Sequence, residues 1–158
     1  MPPFVLAIVA LFFSFSAYSL HAEPITGRVV GIMDGDTLDI VDAKFTKIRI
    51  RLAAIDAPEK AQPFGTRARQ ALAAMCFGQS AVATPTGAEH RGRVIAFIRC
   101  GGVDANRAMV AEGFAWVYRQ YSKDGDLLSL EGEARRLRLG LWADASPTPP
   151  WVWRHRGQ

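Results

Sequence analysis

Apolar residues alternate with polar ones at Leu38 and Ile40, and again at Ile48, Ile50 and Leu52, the two-residue period of strands buried on one face. The polar bend around Ala43 to Phe45 joins these strands, and antiparallel pairing about it sets Asp36 opposite a residue near position 53. Arg49 and Arg51 then point away from the core, with Arg51 beside Asp36 and Asp56. Ile25–Met33 reads as a preceding strand in which Gly27 and Gly31 permit bends or a bulge, and Gln79–Thr84 and Val94–Arg99 supply two more. Between the third and fourth strands the period changes. Ala68, Leu72, Met75 and Cys76 share one face of a helix predicted over Thr66–Phe77 and ended by Gly78.

Beyond the Gly101-Gly102 turn, Asp104 is placed to cap a short helix carrying Ala108, Met109 and Val110, stopped by Gly113. A last helix is predicted over Asp126–Leu139, with Leu127, Leu130, Ala134 and Leu137 inward, Glu131 and Arg135 one turn apart, and Gly140 ending it. Strand, strand, strand, helix, strand, strand is the order of an OB-fold barrel. The expected class is therefore α+β, a five-stranded OB-fold β-barrel with three helices.

The two ends differ from this body. Phe4–Phe13 is almost purely apolar, and Ser14–Leu20 and His21-Ala22 follow before Glu23-Pro24, which reads as a signal peptide over 1–22 cut after Ala22. Its n-region has no Lys or Arg and Leu20 is not the small residue preferred there, so an uncleaved anchor near the short end of a membrane span is the alternative. What remains is one domain, 23–143, and a tail, 144–158, rich in Pro and Trp with a basic end. All 19 Lys and Arg and all 15 Asp and Glu lie beyond Ala22, so the net +4 belongs to that part. Such a surface favours polyanions such as nucleic acid without requiring them. Cys76 and Cys100 are the only cysteines. In an oxidising compartment they read as a disulfide between a helix end and a strand end, with two separate buried thiols as the alternative, and without a nearby His they do not make a zinc site.

Carboxylates gathered by the hairpin repel one another unless a cation, a shared proton or an arginine compensates. Oxygen donors alone, with no His or Cys beside them, suit a hard divalent ion such as Ca²⁺ or Mg²⁺, whose natural companion is a phosphate. The run Asp34-Gly35-Asp36-Thr37, then Arg51-Leu52-Ala53-Ala54-Ile55-Asp56-Ala57-Pro58-Glu59, then Arg91-Gly92-Arg93 before an apolar strand, resembles the staphylococcal nuclease (thermonuclease) family across roughly positions 25 to 142. The resemblance implies the same barrel fold. It also implies that Asp36, Asp56 and the backbone carbonyl of Ala57 hold Ca²⁺, and that Arg51 and Arg93 clamp the reacting phosphate. Glu59 matches the family's proposed general base, which either takes a proton or orients the attacking water.

Substrate grip is expected around Arg91, Tyr118 and Tyr121, where cations meet phosphates and a ring can stack on a base, although Tyr118 and Tyr121 also fit core-edge packing. Two features depart from the family pattern: Arg91 stands where Tyr is common, and the loop from Lys60 to Phe64 is short and poor in lysine. His90 offers a rival general base, but no second His or Asn at suitable spacing accompanies it. The implied function is a Ca²⁺-dependent endonuclease of DNA and RNA, preferring single-stranded or denatured substrate and leaving 3′-phosphate ends. The implied protein is a secreted or periplasmic monomer, without stable membrane association once the leader is cut and without a small-molecule cofactor. A non-catalytic OB-fold module that binds nucleic acid or a protein is the alternative. The resemblance implies that the tail is a strap against the domain, while its residues read as an extended tail with Trp packed on its own surface or as a partner-binding motif.

Overall fold

The structure, a computed structural model, describes residues 23–156, so the leader expected over 1–22 lies outside the described residues. In chain order the elements are β1 (Ile25–Ile32), β2 (Thr37–Val41), β3 (Lys47–Leu52), β4 (Ile55–Asp56), α1 (Gly65–Cys76), β5 (Ser80–His90), β6 (Arg93–Cys100), β7 (Val103–Asp104), α2 (Ala105–Ala111), β8 (Trp116–Val117), α3 (Gly125–Arg136), a 3₁₀ turn (Gly140–Ala143) and the single helical turn α4 (Pro150–Trp153). Five long strands hydrogen-bond in the order β3-β2-β1-β5-β6, and parallel pairing of β3 with β6 closes them into a barrel. This is the expected OB-fold arrangement with its three longer helices. Short extra strands β4 and β8 pair with each other, and β7 pairs with β6.

Alternation along β2 and β3 sends Leu38, Ile40, Ile50 and Leu52 into the barrel, all of them buried. Their partners on the other face include Thr37, opposite Arg51, and Asp39, opposite Arg49. Arg49 and Asp39 form a two-pronged ion pair at 2.7 and 3.0 Å, and the Arg49 hydrogen bond holds the Asp39 carboxyl below the usual range. Arg49 is thereby spoken for as an ion-pair residue. The bulge allowed by the glycines of β1 falls between Val29 and Gly31.

Two expected boundaries shift by more than one residue. β5 continues past Thr84 through Pro85, because β1 stops pairing at Ala83 and a proline without an N–H costs nothing on a free edge; it then bulges and runs on to His90. α3 ends at Arg136, before Leu137, which is exposed and therefore not one of the inward residues. Arg138 takes the left-handed conformation, φ 53°, that ends this segment. Gly140 instead marks a close crossing, where a Cβ would stand 2.2 Å from the carbonyl oxygen of Gly113. The structure joins Cys76 at the end of α1 to Cys100 at the end of β6, with a Cα separation of 5.0 Å. Closing a loop of that sequence separation, 24 residues, is worth about 3 kcal/mol in the chain-entropy account.

Glu131 is the other surprise of α3. It is buried, accepting from the backbone N–H of Val117 at 2.9 Å and from Arg119 and Arg135 at 2.6 and 3.2 Å. Both arginines reach solvent, so truncating Glu131 leaves them hydrated and strands chiefly the Val117 N–H. Glu131→Ala is expected to lower stability by about 2 kcal/mol, read from the urea midpoint, and Glu131→Gln by less because an acceptor remains. Since β8 carries Val117 and holds β4, this contact also fixes the strand that bears Asp56.

Candidate active site

The turn between β1 and β2 is built by Asp34, whose Oδ1 accepts from the Asp36 N–H at 3.0 Å, and by the Met33 N–H donating to the Thr37 carbonyl at 2.9 Å. Gly35 is required at its tip. A Cβ there would meet the Cβ atoms of Ala57 and Ala68 at 2.7 Å each, so only glycine lets this turn seat against α1 and the Ala57 loop. Asp36 is thereby driven inward, 3% exposed, with Oδ2 accepting from the Ala57 N–H at 2.8 Å and Oδ1 from the Thr37 hydroxyl at 3.0 Å. Asp56 is fully buried on β4, opposite Trp116 of β8.

Arg51 binds both carboxylates. It donates through Nη1 to Asp36 Oδ1 and through Nη2 to Asp56 Oδ1, the latter at 2.8 Å. Burial works against its charge, but Asp36 and Asp56 outweigh that and raise its pKa. Burial likewise pushes the Asp56 carboxyl up, Asp36 adds to the push, and Arg154 and Arg51 oppose it without cancelling it. Asp34, half-buried beside Asp36, is pushed up to about 6, first by desolvation and then by the Asp36 charge.

Closure of the barrel brings Arg93 to the same place. Arg51 pairs with Ile95 across the parallel β3–β6 seam, and Arg93, two residues before Ile95, shares its face. Arg93 is half-buried and bonds only weakly within its own hairpin, Nε to the His90 carbonyl at 3.3 Å. Burial and the nearby Arg51 lower its pKa. Arg91 and Gly92 form the two-residue hairpin loop, both with positive φ (51° and 70°), leaving Arg91 exposed at the tip. His90, equally exposed, is lowered first by desolvation and then by Arg93 and Arg91.

Glu59 follows the buried Pro58, and its N–H donates to Oε1 of the buried Gln62 at 3.1 Å. The Glu59 carboxylate is partly exposed and pairs with Arg154 at 2.7 Å. Tyr118, just after β8, donates its N–H to the Ala54 carbonyl at 2.9 Å, and its ring meets Tyr121 edge-on at 4.8 Å. Tyr121 is 71% exposed, so of the two only Tyr118 packs as a core-edge aromatic. Asp36, Arg51, Asp56, Ala57 and Glu59 therefore form one cluster with Arg93 at its side, whereas Arg91 and Tyr121 stand at its periphery.

Among the described residues no three or more His, Cys, Asp or Glu side chains are gathered closely enough to form a metal-binding group. The acidic side chains that could hold an ion are the pair Asp36 and Asp56, whose chemistry suits a hard cation. Both carboxylates are buried, only oxygens are on offer, and the burial that raises Asp56 is relieved by positive charge. Arg154 and Gln62 are the members that sequence reasoning missed. Gln62 sits in the short loop after Glu59, and Arg154 reaches Asp56 from 98 residues away, with only the basic end of the tail as a signal.

The chain matches the model of the staphylococcal nuclease homologue family over residues 49–144. It is 41% identical to an uncharacterized endonuclease of Escherichia coli over 150 residues, 94% of this chain and 97% of that one. It is 45% identical to the micrococcal nuclease of Shigella flexneri over 139 residues, 81% and 79% of the two chains. An uncharacterized endonuclease of Haemophilus influenzae is 37% identical over 134 residues, 85% of this chain and 75% of that one. With the barrel, the carboxylate pair and the two arginines in this arrangement, the chain belongs to the staphylococcal nuclease family.

Proposed function

We propose that this protein is a Ca²⁺-dependent endonuclease that hydrolyses phosphodiester bonds of DNA and RNA by direct attack of water, without a covalent enzyme intermediate. The observation that carries the reading is Arg51 bridging two buried carboxylates with Arg93 alongside and Glu59 three residues beyond Asp56. Asp36, Asp56 and the carbonyl of Ala57 would hold the ion, which supplies charge neutralisation at a phosphate oxygen when bound. Arg51 and Arg93 donate planar, paired hydrogen bonds to the remaining phosphate oxygens and stabilise the charge that grows as the bond breaks. Glu59 stands at the rim, exposed enough to meet solvent and buried enough to be oriented, and orients the attacking water or takes its proton.

Arg91 at the hairpin tip draws in the backbone of the strand, and Tyr118 and Tyr121 offer rings to a splayed base, which favours single-stranded or denatured substrate. Cleavage of the 5′ P–O bond, leaving 3′-phosphate ends, follows from the family's chemistry. The apolar run Phe4–Phe13 and the small residue before Glu23 favour export as a secreted or periplasmic protein after removal of 1–22, with no stable membrane association thereafter, and a monomer is the family's default. Glu59→Gln is expected to cut denatured DNA about a hundred- to ten-thousand-fold more slowly than wild type, while binding it with similar affinity. Undiminished cleavage by that variant would remove Glu59 from the chemistry.

A further inference from the structure

We propose that the C-terminal turn is an intrasteric plug: Arg154 occupies the cation's place on Asp56 and pairs with the water-orienting Glu59 while Trp151 occupies the base's place on Tyr118, so that ion and substrate must displace the tail to bind. This rests on the nuclease reading of the same site. The contacts come from two ends of one turn. Arg154 donates through Nη2 to Asp56 Oδ2 at 2.8 Å, and through Nη1 to Asp56 Oδ1 at 3.2 Å and to Glu59 Oε1 at 2.7 Å. Trp151 lies flat on Tyr118, with ring centres 5.4 Å apart and planes 4° from parallel, and touches Trp116 edge-on at 5.6 Å.

The turn is held in register rather than laid loosely on the surface. Pro150 is buried at its first position, where a missing N–H is harmless, and the Gln62 side-chain amide donates to the Thr148 carbonyl at 2.5 Å. Gln62 also receives the Glu59 N–H, so one side chain ties the tail to the loop that carries the water-orienting carboxylate.

Arg154 and a divalent ion cannot share these oxygens. A hard cation sits ~2.4 Å from its ligands, and the guanidinium nitrogens are already at hydrogen-bond distance from both oxygens of Asp56. The guanidinium does for the buried Asp56 what the ion would do, supplying positive charge. The mimicry extends to the substrate, because a stacked indole uses the face of Tyr118 that a nucleobase needs. The affinity observed for an ion is reduced by the fraction of molecules whose site is open.

The test is Ca²⁺ binding by isothermal titration calorimetry on the full-length protein and on Arg154→Ala and Trp151→Ala, with thermal melts confirming that each chain is folded. A tail docked about nine-tenths of the time weakens the apparent affinity about tenfold, so both variants are expected to bind Ca²⁺ about tenfold more tightly than wild type. Trp151 carries no charge and is not among the donors to either carboxylate, which separates undocking from the mere loss of a charge. Equal affinities in all three chains would overturn the plug and leave the nuclease reading standing. A gain in only one variant would overturn the tail as a unit. Failure of every chain to bind Ca²⁺ would overturn the cation assignment and the plug with it.

Discussion

Replacing Arg93 by alanine is expected to slow nicking of denatured DNA by about two to three orders of magnitude, the usual cost of removing one donor aimed at developing charge. Arg51 already donates to Asp36 and Asp56 with part of its guanidinium, whereas among the described residues Arg93 bonds only the His90 carbonyl, at 3.3 Å, and is therefore the less committed donor for a phosphate. The loss should fall on kcat more than on KM, since the bond strengthens as charge grows. Arg93→Lys keeps the charge but not the planar fork, so it should recover only part of the rate. Single-turnover cleavage of a labelled oligonucleotide by the three chains checks this, and an Arg93→Ala enzyme within a few-fold of wild type would contradict it.

Arg51→Ala is expected to be the most destabilising single change at the site, by about 3–5 kcal/mol, because it leaves two buried carboxylates without their common partner. Arg154 still faces Asp56, which places the loss toward the lower end, but Asp36 has no other cation bonded to it among the described residues. A divalent ion should then restore part of what was lost, since anything that binds the folded state alone stabilises it. Melting temperature measured against Ca²⁺ concentration is therefore expected to climb more steeply for Arg51→Ala than for wild type. A variant as stable as wild type in the absence of ions would show that the carboxylates are not held by Arg51.

Much of this geometry is local enough to be legible in the chain. The two-residue period of β2 and β3 assigns Leu38, Ile50 and their neighbours to the core and so puts Arg51 beside Asp36 and Asp56; the Asp34-Gly35-Asp36 turn is written in its residue types. What escapes is set by packing. Glu131 looks like half of an exposed pair with Arg135, and only the docking of β8 buries it against Val117. Leu137 follows the apolar period of α3 but falls after the helix has ended. The strand expected over Gln79–Thr84 runs on to His90, which escapes because nothing in the sequence tells that β1 has already released that edge. Arg154 is the extreme case, since its partners lie 98 and 95 residues upstream and a proline-rich tail carries no periodicity to point at them.

The central claim is that phosphodiesters are hydrolysed at the pocket where Arg51 joins Asp36 and Asp56. Its most direct test is incubation of purified wild-type protein with denatured DNA, first with Ca²⁺ and then with a chelator in excess. New strand breaks with the ion that cease on chelation are the expected result; DNA that is bound in Ca²⁺ yet stays intact would contradict it and leave a binding module in place of an enzyme.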